Sequence, residues 1–367
     1  MSRDILENRM RHAVLTAVIA VTLSACASAV AKDGGKGPAK MPPASVATTA
    51  PVAPGAESFQ ALVNEAYAKF KDVREGKNAD YIPILATIPS DLFGVAIATR
   101  DGRLYTAGDV DYRFSIQSVS KPFTAALVMQ QYGGPQIIVD KIGVEPTGLP
   151  FNSKLALEIY KARSVNPMVN AGAIAAVSLV KASNEKDRWQ KVLANLEGFA
   201  GDPHLPVLQK VYDSEYETAF GNRGIANLLF NWERLYSEPE QALRVYTKQC
   251  SVGVNTKDLA MMGATLATGG VNPKTGQRML DETSVPELLA IMQTAGFYDE
   301  SGLWAFQAGL PSKTGVGGGI VSVVPGRFAI AAFSPRLNEA GNSVRAQKAI
   351  RYIAGKLGVG IFGPNPE

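Results

Sequence analysis

The sequence predicts an α+β protein with one antiparallel sheet, assembled from strands near both ends of the folded domain, and a helical region inserted between them. Strand-like apolar runs occur at residues 91–108 and again at residues 319–333. The long section between them has apolar residues at helical spacing. A serine and a lysine three positions apart, Ser118 and Lys121, begin the first helix after the early strands. We expect a functional site where the sheet meets the inserted helices.

Composition limits the classes of protein to consider. The chain has 367 residues, 46% of them hydrophobic and 19% charged, which is enough for one large core or two modest ones. Its 37 basic and 33 acidic residues are scattered, so no patch indicates binding to nucleic acid. The two histidines are His12 and His204, and the two cysteines are Cys26 and Cys250. They predict no histidine-based catalytic triad, no disulfide framework and no metal site, and no cofactor is expected.

Residues 1–25 have the pattern of a secretory signal peptide. Three arginines precede an apolar run at residues 13–23 that is too short to span a membrane. The next residues, ending at Cys26, resemble the lipobox of bacterial lipoproteins, in which the cysteine is lipidated and becomes the new N-terminus. The alternative is ordinary cleavage after residues 29–31, which would discard Cys26. Either reading predicts an exported protein of the periplasm or cell envelope, and lipidation would anchor it to the membrane through Cys26.

Residues 26–57 predict a tether. They consist mainly of Gly, Pro, Ala and Thr, a composition that cannot form a packed core. The folded catalytic domain is therefore expected at residues 58–367.

Within that domain the predicted elements follow in order. An amphipathic helix at residues 59–70 precedes two strands, 91–100 and 102–108, that meet at an Asp-Gly turn. The Ser118 helix comes next. Four further helices are expected near residues 171–181, 186–197, 218–235 and 256–268. Two strands, 319–324 and 327–333, and a helix at 342–357 complete the domain.

Ser118 and Lys121 can lie on one face of a first helical turn, because residues three apart are neighbours there. A serine hydroxyl is a weak nucleophile until a base takes its proton, and a lysine whose pKa is lowered by burial can be that base. Helix N-terminal amides would also stabilise a nearby oxyanion. An isolated Ser-x-x-Lys is more often a helix cap beside a solvated lysine. Pro122 disfavours helical geometry at Lys121.

A second motif makes the first one informative. Lys313, Thr314 and Gly315 directly precede the C-terminal strands. Ser-x-x-Lys on a helix with Lys-Thr-Gly on a strand resembles serine-reactive β-lactamases and penicillin-binding proteins. The resemblance implies a β-lactamase-like fold with the nucleophile between the sheet and the helices.

Four blocks sharpen the resemblance. Residues 114–121, 150–153, 166–174 and 313–320 are similar to the serine-dependent glutaminase family, and their order and spacing match from about residue 60 to the C-terminus. The resemblance implies hydrolysis of the side-chain amide of L-glutamine to L-glutamate and ammonia through a serine acyl-enzyme. It also implies a homodimer or homotetramer that needs no cofactor.

The same resemblance implies roles for individual residues. Ser118 matches the nucleophile, Lys121 the activating lysine and Tyr246 a tyrosine that assists proton transfer. The implied substrate-binding residues are Ser118, Asn170, Glu215, Asn222, Tyr246, Tyr298 and Val316. These residue types suit a free amino acid, because a buried carboxylate can bind an ammonium group and amide or hydroxyl donors can bind a carboxylate. Taken singly, such an asparagine is usually a helix cap and such a tyrosine is usually core.

Two other classes of protein remain open from the residues alone. A β-lactamase or penicillin-binding protein would carry Ser-x-Asn or Tyr-x-Asn between the two lysine motifs, whereas Tyr246 is followed by Thr247 and Lys248. A non-catalytic envelope lipoprotein is the third hypothesis. Cys250 is close to Tyr246, but nothing around it in the sequence would lower the pKa of its thiol, which favours a packed small residue over a nucleophile.

Overall fold

The computed structural model describes residues 56–363. The predicted signal peptide, Cys26 and all but the last two residues of the predicted tether lie outside this range. Helix α1, Ala56–Phe70, covers the predicted start of the catalytic domain. Among residues 56–363, no helix has both the length and the apolar character needed to cross a bilayer.

The strands form one five-stranded and one two-stranded antiparallel sheet. They are β1 Gly94–Thr99, β2 Leu104–Gly108, β3 Phe114–Ser115, β4 Gly253–Val254, β5 Ser312–Thr314, β6 Gly319–Val324 and β7 Phe328–Phe333. The larger sheet has the order β2-β1-β7-β6-β5, and the smaller one pairs β3 with β4. In the larger sheet, β1 pairs with β7 so that Gly94 lies opposite Phe333. The prediction of one antiparallel sheet from distant segments is confirmed.

Fourteen helices occur within residues 56–363. After α1 they are α2 Pro83–Ala86, α3 Lys121–Tyr132, α4 Gln136–Lys141, α5 Leu155–Ile159, α6 Asn170–Leu179, α7 Glu185–Ala200, α8 Gln209–Glu217, α9 Phe220–Asn231, α10 Pro239–Cys250, α11 Thr256–Ala267, α12 Val285–Ala295, α13 Ser301–Gln307 and α14 Val344–Leu357. Short 3₁₀ turns lie at Gln117–Ser120, Glu282–Ser284 and Tyr298–Glu300.

Helices cover both faces of the five-stranded sheet. Val95 and Ile97 point into a core shared with α1 and α14. Ala96 and Ala98 point into the larger core shared with α11 and the inserted helices. Alternate residues of a strand face opposite sides, so a sheet buried on both faces requires apolar residues at every position. This explains why the strands appear in the sequence as continuous apolar runs.

Helix α11 packs unusually close to the sheet at Gly263. A Cβ atom placed there would lie 2.6 Å from Val321 Cγ2 and 2.7 Å from Ala329 Cβ. Glycine therefore permits a backbone approach that a side chain would prevent. This contact fixes the inserted helical region against β6 and β7.

The predicted middle helices correspond to α6, α7, α9 and α11, and the sequence analysis missed α2, α4, α5, α8, α10, α12 and α13. Helix α9 begins at Phe220 rather than at residue 218, because Thr218 closes α8. The missed helix α10 carries Tyr246, and its signals were present: Pro239 in the first turn and a buried face that includes Leu243 and Tyr246.

Candidate active site

Ser118 lies in the 3₁₀ turn that leads into α3. The backbone N–H of Lys121 donates to the Ser118 carbonyl oxygen, so the Ser-x-x-Lys motif closes one tight turn. Ser118 is 6% exposed and Lys121 is 1% exposed. Lys121 has φ −58° and ψ −48°, which is helical despite Pro122. Proline is tolerated at this position because a first-turn N–H has no partner within the helix.

Gln117, the residue before Ser118, has a positive φ of 48°. Such a conformation costs a non-glycine residue about 1–3 kcal/mol unless its surroundings hold it in place. The Gln117 side chain provides part of that support, since Nε2 donates to Glu215 Oε2 at 3.0 Å and to Ser115 Oγ at 3.3 Å. The strained turn therefore connects the serine to Glu215.

The turn after β5 packs directly against the serine. A Cβ atom on Gly315 would lie 3.2 Å from the Ser118 nitrogen, and one on Gly317 would lie 2.5 Å from the Ser115 oxygen. Because Gly315 and Gly317 have no side chain, the end of β5 can approach the backbone of the turn that contains Ser118. This approach brings Val316 beside Ser118 in the pocket wall.

Asn170, the first residue of α6, links three other candidate residues. Lys121 Nζ donates to Asn170 Oδ1 at 2.7 Å, and the Tyr246 hydroxyl donates to the same oxygen at 3.1 Å. Asn170 Nδ2 donates to Asn222 Oδ1 at 3.0 Å. Asn170 therefore joins Lys121, Tyr246 and Asn222 through hydrogen bonds. The N-cap of α6 is Val169 rather than Asn170.

Burial changes the acid–base character of Lys121 and Tyr246. Burial lowers the pKa of Lys121 to about 8, although nearby Cys250 and Glu215 would raise it. Burial raises the pKa of the Tyr246 hydroxyl well above its ordinary value. A neutral amine is therefore more accessible near neutral pH than a phenolate.

Glu215 is a buried carboxylate at the end of α8, with 7% exposure. No basic side chain forms an ion pair with it in the part of the chain that the structure describes. Burial raises the pKa of Glu215 to about 7, while the Gln117 hydrogen bond, the charge of Lys121 and a contact with the Cys250 thiol lower it. A buried carboxylate without a counter-ion is suited to bind an ammonium group from a ligand.

Tyr298 and Lys313 lie on the β5 side of Ser118. The Tyr298 hydroxyl donates to the Thr314 carbonyl at 3.3 Å. Burial raises the pKa of Tyr298 well above its ordinary value, and a side-chain contact with Ser118 lowers it. Lys313 Nζ donates to the carbonyls of Gly296 at 2.9 Å and Thr314 at 2.8 Å, and it lies 4.2 Å from the centre of the Tyr298 ring. The lysine of the second motif therefore supports Tyr298 and the end of β5.

One pocket collects most of the candidate residues. It is lined by Tyr81, Ile82, Gln117, Ser118, Phe151, Asn170, Glu215, Thr218, Ala219, Asn222, Tyr246 and Val316. Lys121 and Tyr298 do not line this pocket. Lys121 contacts the lining residue Asn170, and Tyr298 contacts the lining residue Ser118. The sequence analysis missed Tyr81, Gln117 and Phe151 as site residues. Gln117 and Phe151 lay within the blocks already singled out, whereas nothing in the sequence distinguished Tyr81.

Cys250 is buried and lies one turn after Tyr246 on α10. Burial and the charge of Glu215 raise the pKa of its thiol well above the ordinary value, although Lys121 opposes them. A thiol of this kind is a poor nucleophile. Within residues 56–363, no group of His, Cys, Asp and Glu side chains could hold a metal ion.

The sheet order, the covering helices and the buried turn that carries Ser118 and Lys121 define the class: a hydrolase with the serine β-lactamase-like fold. The sequence model of the family described as Glutaminase matches residues 76–362. The chain belongs to the glutaminase family, and it hydrolyses glutamine to glutamate.

The relatives agree with this assignment. The glutaminase of Colwellia psychrerythraea is 55% identical over 304 residues, covering 83% of this chain and 97% of that protein. Glutaminase 1 of Escherichia coli K12 is 50% identical over 307 residues, covering 84% and 98%.

Solved structures share the fold as well. The probable glutaminase ybaS superposes with a TM-score of 0.82 at 50% identity, covering 84% of this chain and 99% of that chain. A probable glutaminase from Bacillus subtilis, in complex with 6-diazo-5-oxo-L-norleucine, gives 0.75 at 28% identity, covering 83% and 96%. The predicted family, fold and activity are confirmed.

Proposed function

We propose that Ser118 is the nucleophile of glutamine hydrolysis and that Lys121 is the base that activates it. Ser118 Oγ forms a bond to the side-chain amide carbon of glutamine, and its proton passes to Lys121 Nζ. The C–N bond then breaks, and ammonia leaves with a proton returned from the base. Water adds to the resulting ester and releases glutamate, which restores the serine. The observation that carries this proposal is the buried Lys121, with its lowered pKa, one 3₁₀ turn after Ser118.

Tyr246 is proposed to assist proton transfer, as a donor rather than as the first base. The Tyr246 hydroxyl shares Asn170 Oδ1 with Lys121. Its raised pKa makes proton removal difficult but leaves it able to donate a hydrogen bond to the departing nitrogen. The backbone N–H groups of Ser118 and Val316 are proposed to stabilise the oxyanion.

The proposed substrate contacts follow from charge. Glu215 would bind the α-ammonium group, since it is buried without a counter-ion. The α-carboxylate would be bound by amide and hydroxyl donors among Asn170, Asn222 and Tyr298. Asn222 supports this role, because its Nδ2 makes no hydrogen bond within residues 56–363 while its Oδ1 is already used by Asn170.

Covalent labelling tests the nucleophile. The compound 6-diazo-5-oxo-L-norleucine carries the amino-acid end of glutamine and a diazoketone at its other end. We expect it to alkylate Ser118 with loss of N₂, as mapped by peptide mass spectrometry of the full chain. Ser118→Ala should abolish both labelling and ammonia release while the circular dichroism spectrum stays unchanged. A folded Ser118→Ala protein that keeps substantial turnover would remove Ser118 from the mechanism.

Lys121→Arg tests the base. Guanidinium keeps the positive charge but cannot accept a proton near neutral pH, so we expect a loss of about a hundredfold or more in kcat. Lys210→Arg, an exposed change on α8, is the matched control. Wild-type turnover by Lys121→Arg would transfer the role of base to Tyr246.

We further propose an exported protein that is anchored by a lipid on Cys26 and forms a homodimer or homotetramer. The predicted signal peptide and lipobox support the first proposal. The second is supported by large apolar side chains left on the surface, including Leu155 at 59% and Phe220 at 77% exposure. Sedimentation analysis should therefore show a species larger than one chain, and a monomer at every concentration would refute the oligomer.

A further inference from the structure

Tyr298 has an unusual backbone conformation. Its φ is +59°, in the left-handed region that an aromatic residue rarely adopts. Such a conformation persists only where the surroundings determine it, and it is often found at functional sites. The Tyr298 hydroxyl donates to the Thr314 carbonyl next to Gly315, which packs against Ser118, and it also has a side-chain contact with Ser118. The support for the Tyr298 backbone therefore affects the proposed site.

Glu300, two residues after Tyr298 in the same 3₁₀ turn, holds the segment from one side. Its carboxylate accepts hydrogen bonds from Asn338 Nδ2 at 2.8 and 3.1 Å and from Asn342 Nδ2 at 2.6 Å. Glu300 makes no ion pair with a basic side chain within residues 56–363. Two amide groups therefore carry the whole interaction with this carboxylate.

Asn338 and Asn342 belong to a turn between β7 and α14. The Asn338 N–H donates to the Asn342 carbonyl at 2.9 Å, and the Gly341 N–H donates to the Asn338 carbonyl at 3.1 Å. Gly341 has a positive φ of 89°. This conformation lets the turn close tightly enough to present both asparagine side chains to Glu300.

The turn lies directly against the site. The Cβ position of Gly341 is 3.5 Å from Val316 Cγ1, 3.7 Å from Phe151 Cε1 and 3.8 Å from Tyr298 Cε2. The rings of Phe151 and Tyr298 also contact each other, with centroids 4.6 Å apart. The turn at residues 338–342 thus supports two pocket residues and Tyr298.

We propose that Glu300 is a positioning residue of the glutaminase reaction. By holding residues 338–342 against Tyr298 and Val316, its carboxylate keeps the Tyr298 hydroxyl beside Ser118. The inference rests on the proposed function of Ser118 and Tyr298 at this site. It assigns no contact between Glu300 and the substrate.

The test uses Glu300→Gln in the full chain. Glutamine has nearly the same volume as glutamate, but its Nε2 group would face the amide donors of Asn338 or Asn342, so at least one hydrogen bond is lost. We expect kcat for ammonia release to fall about tenfold, equivalent to about 1.4 kcal/mol, with a smaller change in KM. Glu339→Gln is the matched control: Glu339 lies in the same turn, is exposed and makes no side-chain hydrogen bond within residues 56–363, so its kinetics should equal those of the wild type.

A double-mutant cycle with Tyr298→Phe separates positioning from a general loss of structure. If Glu300 acts through the Tyr298 hydroxyl, Glu300→Gln should cost much less in the Tyr298→Phe background than in the wild type. Independent, multiplicative effects would overturn the inference, as would wild-type kinetics for Glu300→Gln. Should Glu300→Gln fail to fold by circular dichroism, Asn338→Ala replaces it in the same cycle with the same criterion.

The cycle also distinguishes the two levels of proposal. Wild-type turnover by Tyr298→Phe would remove Tyr298 from the proposed function and overturn the positioning role with it. An impaired Tyr298→Phe beside a fully active Glu300→Gln would overturn the positioning role alone and leave the proposed function in place.

Discussion

Lys121 and Glu215 are both buried, and burial moves both of their pKa values toward neutrality. The pKa of Lys121 falls to about 8 and that of Glu215 rises to about 7. In each case the neutral form is favoured, because a charged group loses its hydration on burial. The proposed mechanism requires the lysine without its proton and the carboxylate ionised, so in that mechanism both groups lose protons before catalysis.

This requirement predicts the sign of the pH dependence. We expect kcat/KM for glutamine to rise as pH increases through the interval between about 7 and about 8. Glu215→Gln should remove the part of the pH dependence that comes from the carboxylate and leave the part that comes from Lys121. The measurement is the pH profile of ammonia release in both proteins. A wild-type profile that falls across this interval would contradict the assignment.

Glu215 also predicts selectivity for a free amine. A substrate whose amine is acylated would leave the carboxylate buried and unpaired, a loss of about 3–5 kcal/mol. We therefore expect ammonia release from glutamine but little from N-acetylglutamine. Glu215→Gln should weaken that preference and lower turnover of glutamine. Equal wild-type rates on the two substrates would exclude Glu215 from binding the amine.

The contact between α11 and the sheet gives a prediction about stability. Gly263→Ala would place a methyl group in contact with Val321 and Ala329, and overpacking of this kind costs about 1–3 kcal/mol. Urea unfolding measures the change in free energy. Gly355→Ala in α14 is the control, because its Cβ would meet no atom within 4 Å, and it should be neutral or stabilise by about 0.5–1 kcal/mol. Equal effects of the two changes would contradict the packing argument.

The sequence predicted the helices and strands whose apolar residues recur in a clear pattern. It missed those whose buried residues can be recognised only from their partners elsewhere in the fold. The runs at residues 319–333 were identified because a doubly covered sheet makes every position apolar. Helix α10 was missed because the polar residues Thr247 and Gln249 interrupt its apolar face, although both are buried and Gln249 accepts a hydrogen bond from Thr124. Local periodicity cannot reveal a polar residue whose partner lies on another helix.

Site residues that belong to sequence motifs could be predicted. Those that come together only in the folded protein could not. Ser118 and Lys121 form the Ser-x-x-Lys motif at the start of α3, and Val316 follows the Lys-Thr-Gly motif at the end of β5. Tyr81 reaches the pocket from the segment before α2, which carries no pattern of its own. The role proposed for Glu300 depends on two asparagines about forty residues further along the chain, and their contact exists only after β7 and α14 have packed.

For the whole protein, the N-terminal prediction can be tested by fractionation. Cys26→Ser should convert a membrane-associated protein into a released one, because a single serine cannot accept the lipid modification expected of the cysteine. The amount of the protein in the membrane and soluble fractions, detected by immunoblotting, is the measurement, and Cys250→Ser is the control for loss of a thiol. Equal membrane fractions for the wild type and Cys26→Ser would favour a simply cleaved signal peptide.

The pairing of β1 with β7 has a consequence for how the protein is made. These two strands are adjacent inside the sheet, yet β1 cannot pair with β7 until Phe333, far along the chain, has been made. Until the last strand has been synthesised, β1 and β2 form only an isolated hairpin, which is marginal in water. The cores on the two faces of the sheet both include residues of β7, so neither is complete before that strand has been made. The export proposed for this chain would be compatible with this order of events, because the sheet cannot close before the C-terminal strands have been made.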